Sequence, residues 1–274
     1  MKPKIVYYKD ELHDDFAGNN IKTKALPEKF RYVHRNPFWL IAEFLLYRVI
    51  ATPVVWLIAK IGFGLRFENR KALKKLRGTG YYMYGNHTQA MMDAYIPALA
   101  AFPQRAHILT GPDAFSIPGI SHIVQMLGGM PLSDNLARFR EMMEALEFRV
   151  KQKRVIGIYP EAHIWPWYTG IRPFADASFS YPVKQNLPIV AFVTTYRKRK
   201  IFKNLWPCIT VTFSEPFFPD PALSNAKARR VLRDQAYGFM CERAARADNY
   251  VYREYRKKEE VTVHSVHSNE SVLQ

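Results

Sequence analysis

The sequence predicts an α/β protein with a mainly parallel central sheet flanked by helices, preceded by an apolar N-terminal helical hairpin suited to membrane association. Three observations lead there. Short β-rich runs recur at 80–84, 106–110, 154–159, 188–195 and 209–213, with helical patterns between them; such alternation is the mark of parallel sheets. Residues 37–65 form the most apolar stretch of the chain. Forty Lys and Arg against 24 Asp and Glu leave a formal charge of +16 over 274 residues, a field that attracts anionic partners.

Along the chain, residues 1–36 are polar and of mixed charge, which reads as an irregular arm without the apolar core of a secretory signal. The segment 37–66 follows as a membrane-associating unit. Pro53 divides its apolar run into pieces of roughly 15 and 12 residues, each shorter than the ~20 needed to span a bilayer. Basic residues flank both sides, Lys22 to Arg35 before and Arg66 to Arg77 after, which suits a hairpin entering and leaving on the cytoplasmic face. Trp39 and Trp56 are natural interfacial anchors.

The α/β domain is assigned to 67–260. Its clearest helix covers 135–152, where Leu136, Phe139, Met143, Leu146 and Val150 recur at spacings of three and four. Ser133 or Asp134 is placed to cap it. Residues 224–258 read as basic helix, and 261–274 as a disordered tail. Cys208 and Cys241 offer neither a disulfide framework nor a zinc pattern. No metal ligand set and no cofactor motif is evident. No helix-turn-helix, zinc-finger or RNA-recognition signature accompanies the positive charge, so nucleic acid is not an expected partner. No Gly-x-Ser-x-Gly elbow supplies a hydrolase nucleophile.

The stretch GYYMYGNHTQAMMDAYIP carries the most chemical information. A strand ends near Gly85, and His87 then sits at a strand-to-helix turn, where open α/β sheets bind ligands. Imidazole can take a proton from a hydroxyl near neutral pH, and a carboxylate on its other nitrogen would fix the tautomer. Asp93 is the nearby acid. Six helical steps would carry it about 9 Å along the axis and turn it away. A His87–Asp93 bond therefore requires a non-helical turn, with the helix beginning near Thr88 to Ala90.

These residues resemble the first motif of the glycerolipid acyltransferase family, whose members acylate glycerol-3-phosphate or lysophosphatidic acid. That motif is Asn-His, four residues, then Asp; here Asn86-His87 and Asp93 are separated by five, which a one-residue bulge would absorb. Further motifs follow in order. Gly128-Gly129-Met130-Pro131 is similar to the Gly-rich turn of the second, with Asp134 where an Arg would stand and Arg138 or Arg140 one or two helical turns later. Tyr159-Pro160-Glu161 resembles the third, with Ala162-His163-Ile164 in place of Gly-Thr-Arg. Leu187-Pro188-Ile189-Val190 fits the fourth.

The resemblance implies His87 as general base and Asp93 as its orienting partner. It implies a substrate site drawn from Asn86, Glu161, Arg138, Arg140, His163 and Arg172, the last being the nearest cation able to replace the third-motif Arg. The acceptor would be a lysophospholipid such as lysophosphatidic acid, or glycerol-3-phosphate. The donor would be an acyl thioester, acyl-CoA or acyl carrier protein, with no other cofactor. Backbone N–H groups near the 85–88 turn are candidate oxyanion donors. Trp165, Trp167 and Tyr168 suit either an acyl groove, the membrane interface or ordinary packing. A non-catalytic lipid-binding protein of the same fold is the alternative reading, separable by whether free thiol is released.

Overall fold

A computed structural model describes residues 3–18, 23–27, 30–117, 119–133, 135–203 and 205–258. Seven strands form the main sheet: β2 (Arg66–Glu68), β3 (Tyr81–Gly85), β4 (Ala106–Thr110), β5 (Gly129–Pro131), β6 (Val155–Ile158), β7 (Ile189–Arg197) and β8 (Cys208–Phe213), in the order β2-β8-β7-β3-β6-β4-β5. From β7 to β5 all neighbours are parallel. A hairpin turns β8 antiparallel to β7, and β2 follows β8 in parallel. The mainly parallel sheet holds, with its reversed edge formed by β8 and β2.

The central strands are continuous apolar runs because helices cover both faces. In β3, Tyr81 and Met83 enter one core and Tyr82 and Tyr84 the other, as period-two alternation requires. The first core also takes Ala59, Leu99 and Ala100 from helices at Pro37–Gly62 and Ile96–Ala101. The second takes Leu146, Leu232, Ala236 and Met240 from helices at Leu136–Lys151 and Asn225–Arg246. Burial of each such Leu or Met contributes about 1.5–3 kcal/mol.

The expected apolar hairpin is instead one helix, Pro37–Gly62, of 26 residues. Pro53 does not break it. The helix widens to π-type bonding over Leu45–Ala51, and the Thr52 N–H and hydroxyl both donate to the Tyr47 carbonyl, the hydroxyl at 2.6 Å. That widening accommodates the ring, which in a regular helix clashes with the carbonyl four residues back. Asn36 caps the start, its side chain accepting from the Phe38 N–H at 2.9 Å.

One stripe of this helix docks on the domain. Glu43, 4% exposed, pairs with Arg105 at 2.7 Å, and the Tyr47 hydroxyl accepts the Ala106 N–H at 3.1 Å. Most of the remainder is solvent-facing: Phe38, Ile41, Phe44 and Ile61 are each more than half exposed.

Three local expectations change. The arm is not wholly irregular: Lys4–Tyr8 forms β1, which pairs in parallel with β9 (Arg253–Lys257). The helix expected over 224–258 stops at Arg246, and its last residues supply β9. The cap of helix Leu136–Lys151 is Asn135, whose side chain accepts the Ala137 N–H at 2.9 Å. Asp134 and the tail 261–274 lie outside the described residues.

Candidate active site

The site forms where β3 ends. Gly85 is required there by a close approach: a Cβ would stand 2.1 Å from the Phe192 ring on neighbouring β7. Asn86 then locks the turn to β7. Its side chain donates to the Thr194 carbonyl at 3.1 Å and accepts the Thr194 N–H at 2.8 Å. Both polar ends of Asn86 are thereby engaged by backbone, so it builds the turn.

His87 Nδ1 lies 2.8 Å from Asp93 Oδ2. The intervening residues are non-helical, a series of turns from Ala90 to Tyr95, and the regular helix starts at Ile96 and not at 88–90. The Gln89 N–H donates to the same Oδ2 at 2.8 Å, and the Tyr159 hydroxyl donates to the Asp93 carbonyl at 2.5 Å. Asp93 is thus fixed on several sides. Its side chain is 3% exposed, that of His87 25%. Burial pushes the Asp93 carboxyl above the usual carboxylate range, opposed by its bond to His87. The His87 ring stacks on Tyr159, centroids 4.8 Å apart. With Nδ1 held by the carboxylate, Nε2 is the nitrogen left for chemistry.

Glu161 sits behind the histidine. Its Oε2 accepts the His87 N–H at 3.1 Å and its Oε1 accepts the Arg172 N–H at 3.1 Å. The Arg172 guanidinium, 1% exposed, contacts Glu161 Oε2 at 3.3 Å and donates to the carbonyls of His163 and Glu11. Burial raises the Glu161 carboxyl, and the Arg172 charge works against it. Both residues were expected in the substrate site, Arg172 as the cation replacing the third-motif Arg. The structure gives them to each other, because two charges removed from water need close partners. They brace the backbone that carries His87.

The loop after Glu161 closes over the turn. The Trp165 and Trp167 N–H groups donate to the His87 and Thr88 carbonyls at 3.1 and 2.8 Å. Thr88 Oγ1 lies 3.0 Å from the Tyr196 hydroxyl, which donates to the Thr88 carbonyl at 2.9 Å. Trp165 is fully buried, against Tyr8, Phe16 and Tyr255, and Trp167 is nearly so. Among the roles open to this aromatic cluster, packing is the one these two tryptophans fill. Ordinary packing was one of the roles open to them, but nothing local indicated that the arm and β9 would provide the partners.

The remaining predicted residues stand elsewhere. Arg138 donates to the Pro27 and Phe30 carbonyls at 2.6 and 3.0 Å, anchoring the arm. Arg140 lines a groove of ~700 Å³ with Lys184 and Leu187, which lie at the opposite end of the sheet from His87. His163 Nδ1 faces Asp15 at 3.8 Å, with its side chain partly exposed. The sheet separates Arg140 from His87, whereas Arg138 and His163 engage the arm. The His87 and Gln89 N–H groups, bound to Glu161 and Asp93, are also not open to an oxyanion. Tyr159, Thr88 and Tyr196 were missed as site residues; only Tyr159, within the third motif, carried a local signal.

Among the described residues, no group of three or more His, Cys, Asp or Glu could hold a metal ion. The Acyltransferase family model matches residues 64–195. No curated protein matches the chain. Among solved structures, the chain resembles the crystal structure of the 1-acyl-sn-glycerophosphate (LPA) acyltransferase, PlsC, from Thermotoga maritima. The TM-score is 0.54 at 20% identity, over 77% of this chain and 89% of that one, a likeness of fold. His87, Asp93 and Glu161 all fall inside residues 64–195, the segment that the Acyltransferase family model matches.

Proposed function

We propose that the protein transfers a fatty acyl chain from an acyl thioester, acyl-CoA or acyl carrier protein, to the hydroxyl of a lysophospholipid such as lysophosphatidic acid, or to glycerol-3-phosphate. The observation that carries this reading is the 2.8 Å contact between His87 Nδ1 and buried Asp93 in a family-matched turn. A carboxylate on Nδ1 keeps that nitrogen protonated and leaves Nε2 unprotonated to act as base. Nε2 takes the acceptor hydroxyl proton as the oxygen attacks the thioester carbonyl. The tetrahedral intermediate then breaks its C–S bond, and the imidazolium returns its proton to the departing thiolate. Product ester and free thiol result, with no covalent enzyme intermediate and no metal required.

The likeness to an enzyme named for 1-acyl-sn-glycerophosphate supports an anionic glycerolipid acceptor, as does the net charge of +16. Residues 37–62 support peripheral or monotopic attachment to the cytoplasmic face of the membrane. A helix whose one stripe is fastened to the domain by Glu43 and Tyr47 suits an interfacial position better than an independent span. The inward pairing of Arg172 with Glu161 favours keeping a second reading, lipid binding without transfer.

The test is wild type against His87→Ala, with a labelled acyl thioester, a panel of lysolipids and glycerol-3-phosphate, and a thiol-release readout. Loss of about 10²- to 10⁴-fold is expected. Wild-type-like transfer by the variant would end the general-base assignment. Lipid binding by the wild type without thiol release would establish the non-catalytic reading.

A further inference from the structure

We propose that the loop joining β7 to β8, residues 198–207, is a second membrane-contacting element that inserts its apolar tip among anionic headgroups beside the N-terminal helix. The loop is KRKIFKNLWP. Ile201 and Phe202 at its tip are 72% and 73% exposed, and Leu205 and Trp206 are exposed as well. Exposed apolar side chains scattered singly are ordinary; a contiguous group of large ones at a loop tip is not.

The loop is fastened to the end of the exposed apolar helix. Trp206 Nε1 donates to the Gly62 carbonyl at 2.9 Å, and its ring stacks on Phe63, centroids 5.2 Å apart. Arg199 donates to the same Gly62 carbonyl and, at 3.0 Å, to that of Trp206. The loop therefore joins the exposed apolar helix at its C-terminal end, and the helix runs about 39 Å from there at 1.5 Å per residue.

Charge selects the occupant. Lys198, Lys200 and Lys203 are exposed and flank Ile201 and Phe202 in sequence. Large exposed apolar side chains flanked by lysines complement a bilayer interface, where the chains enter the acyl boundary and the ammonium groups meet anionic headgroups. A second copy of this chain, also at +16, would be repelled. Position adds a consequence. β7 pairs Phe192 with Gly85 and continues to Arg197, so the loop projects at the same end of the sheet as His87. Docking through helix and loop together brings the base to the membrane surface. The inference rests on the membrane reading of the helix, and vesicle binding is measured without donor or acceptor, so it is independent of the transfer reaction.

The experiment uses the full chain with Phe202→Cys in a Cys208→Ser/Cys241→Ser background, carrying an environment-sensitive fluorophore, and vesicles of phosphatidylcholine with or without 30% phosphatidylglycerol. The same label at Phe38→Cys reports the helix. Blue-shifted, brighter emission at 202 on anionic vesicles is expected. In unlabelled protein, Lys198→Gln/Lys200→Gln/Lys203→Gln should weaken binding to the anionic vesicles by roughly 100-fold at low salt, from about fivefold per lysine. A change at 38 with none at 202 would overturn the loop's role while leaving that of the helix. No change at either site would overturn both. A concentration-dependent change at 202 without vesicles would show a protein–protein contact and overturn the proposal.

Discussion

His87 and Asp93 stand six residues apart, and their side chains meet at 2.8 Å because the backbone between them runs through turns before entering the helix at Ile96. Helical backbone over the same interval would turn the two side chains away from each other. The extra residue relative to the family's first motif is taken up in these turns, and the acid remains on Nδ1. The catalytic proposal therefore depends on a tautomer that Asp93 sets.

Asp93→Asn should abolish that setting while keeping the shape. An amide N–H facing Nδ1 favours the tautomer with the proton on Nε2, which then cannot act as base. Turnover should fall about 10³- to 10⁴-fold, with substrate KM little changed. Steady-state kinetics on the variant measure this, and retention of more than a tenth of wild-type turnover would exclude the orienting role.

The same substitution carries a pH signature in stability. Burial holds the Asp93 carboxyl above its unfolded value, which is about 3.9. A raised acid binds its proton more readily when folded, so its contribution is complete below the unfolded value and lost as pH rises through the folded one. Asparagine does not titrate. The stability of Asp93→Asn relative to wild type should accordingly increase with pH across that window. Urea unfolding of both proteins at pH 4 and pH 7 tests it; a difference that shrinks with pH contradicts the burial argument.

Glu161 and Arg172 are expected to be interdependent. Glu161→Ala leaves a guanidinium that is 1% exposed without its acid and frees the His87 N–H. Such a change costs about 3–5 kcal/mol. Replacing both, Glu161→Ala with Arg172→Met, should recover a substantial part of that loss. A double-mutant cycle by chemical denaturation gives the coupling, and additive effects would show that the pair does not act as a unit.

Gly85→Ala tests the packing under the turn. Its Cβ would overlap the buried Phe192 ring, so the strand end or the ring must shift, at a cost of about 1–3 kcal/mol. Because His87 follows two residues later, activity should fall further than the stability loss explains. Adding Phe192→Leu should restore part of both, as thermal melts and initial rates will show.

Glu43→Ala addresses the helix. Glu43 is the acid paired with Arg105, and Arg149 and Arg154 feel its charge as well. Its loss should loosen residues 37–62 from the domain while the sheet stays folded. Limited proteolysis in detergent is expected to cut first near that helix; a pattern identical to wild type would show that apolar packing alone holds it.

Several features follow from the chain's local chemistry. Runs such as VIGI and IVAFVTT must be buried on both faces, and the spacing of Phe139, Met143, Leu146 and Val150 makes a helix with one apolar stripe. A His and an Asp following β3 mark the site, and the lengths of the runs set the α/β class. Partner choice was decided in three dimensions. Asn86 meets Thr194 across 108 positions, the arm's Glu11 reaches Arg172, and β1 finds β9 at the far end of the chain. Arg172 shows the limit most clearly: an arginine near a motif reads as a phosphate ligand, yet burial beside Glu161 gives its donors to the protein. Pro53 shows it for backbone, since a helix docked by Glu43, Tyr47 and Ala59 can absorb a proline that would divide a free one. Periodicity encodes which side chains leave water; which polar group each then meets depends on contacts between segments distant in sequence, and only the assembled fold supplies those.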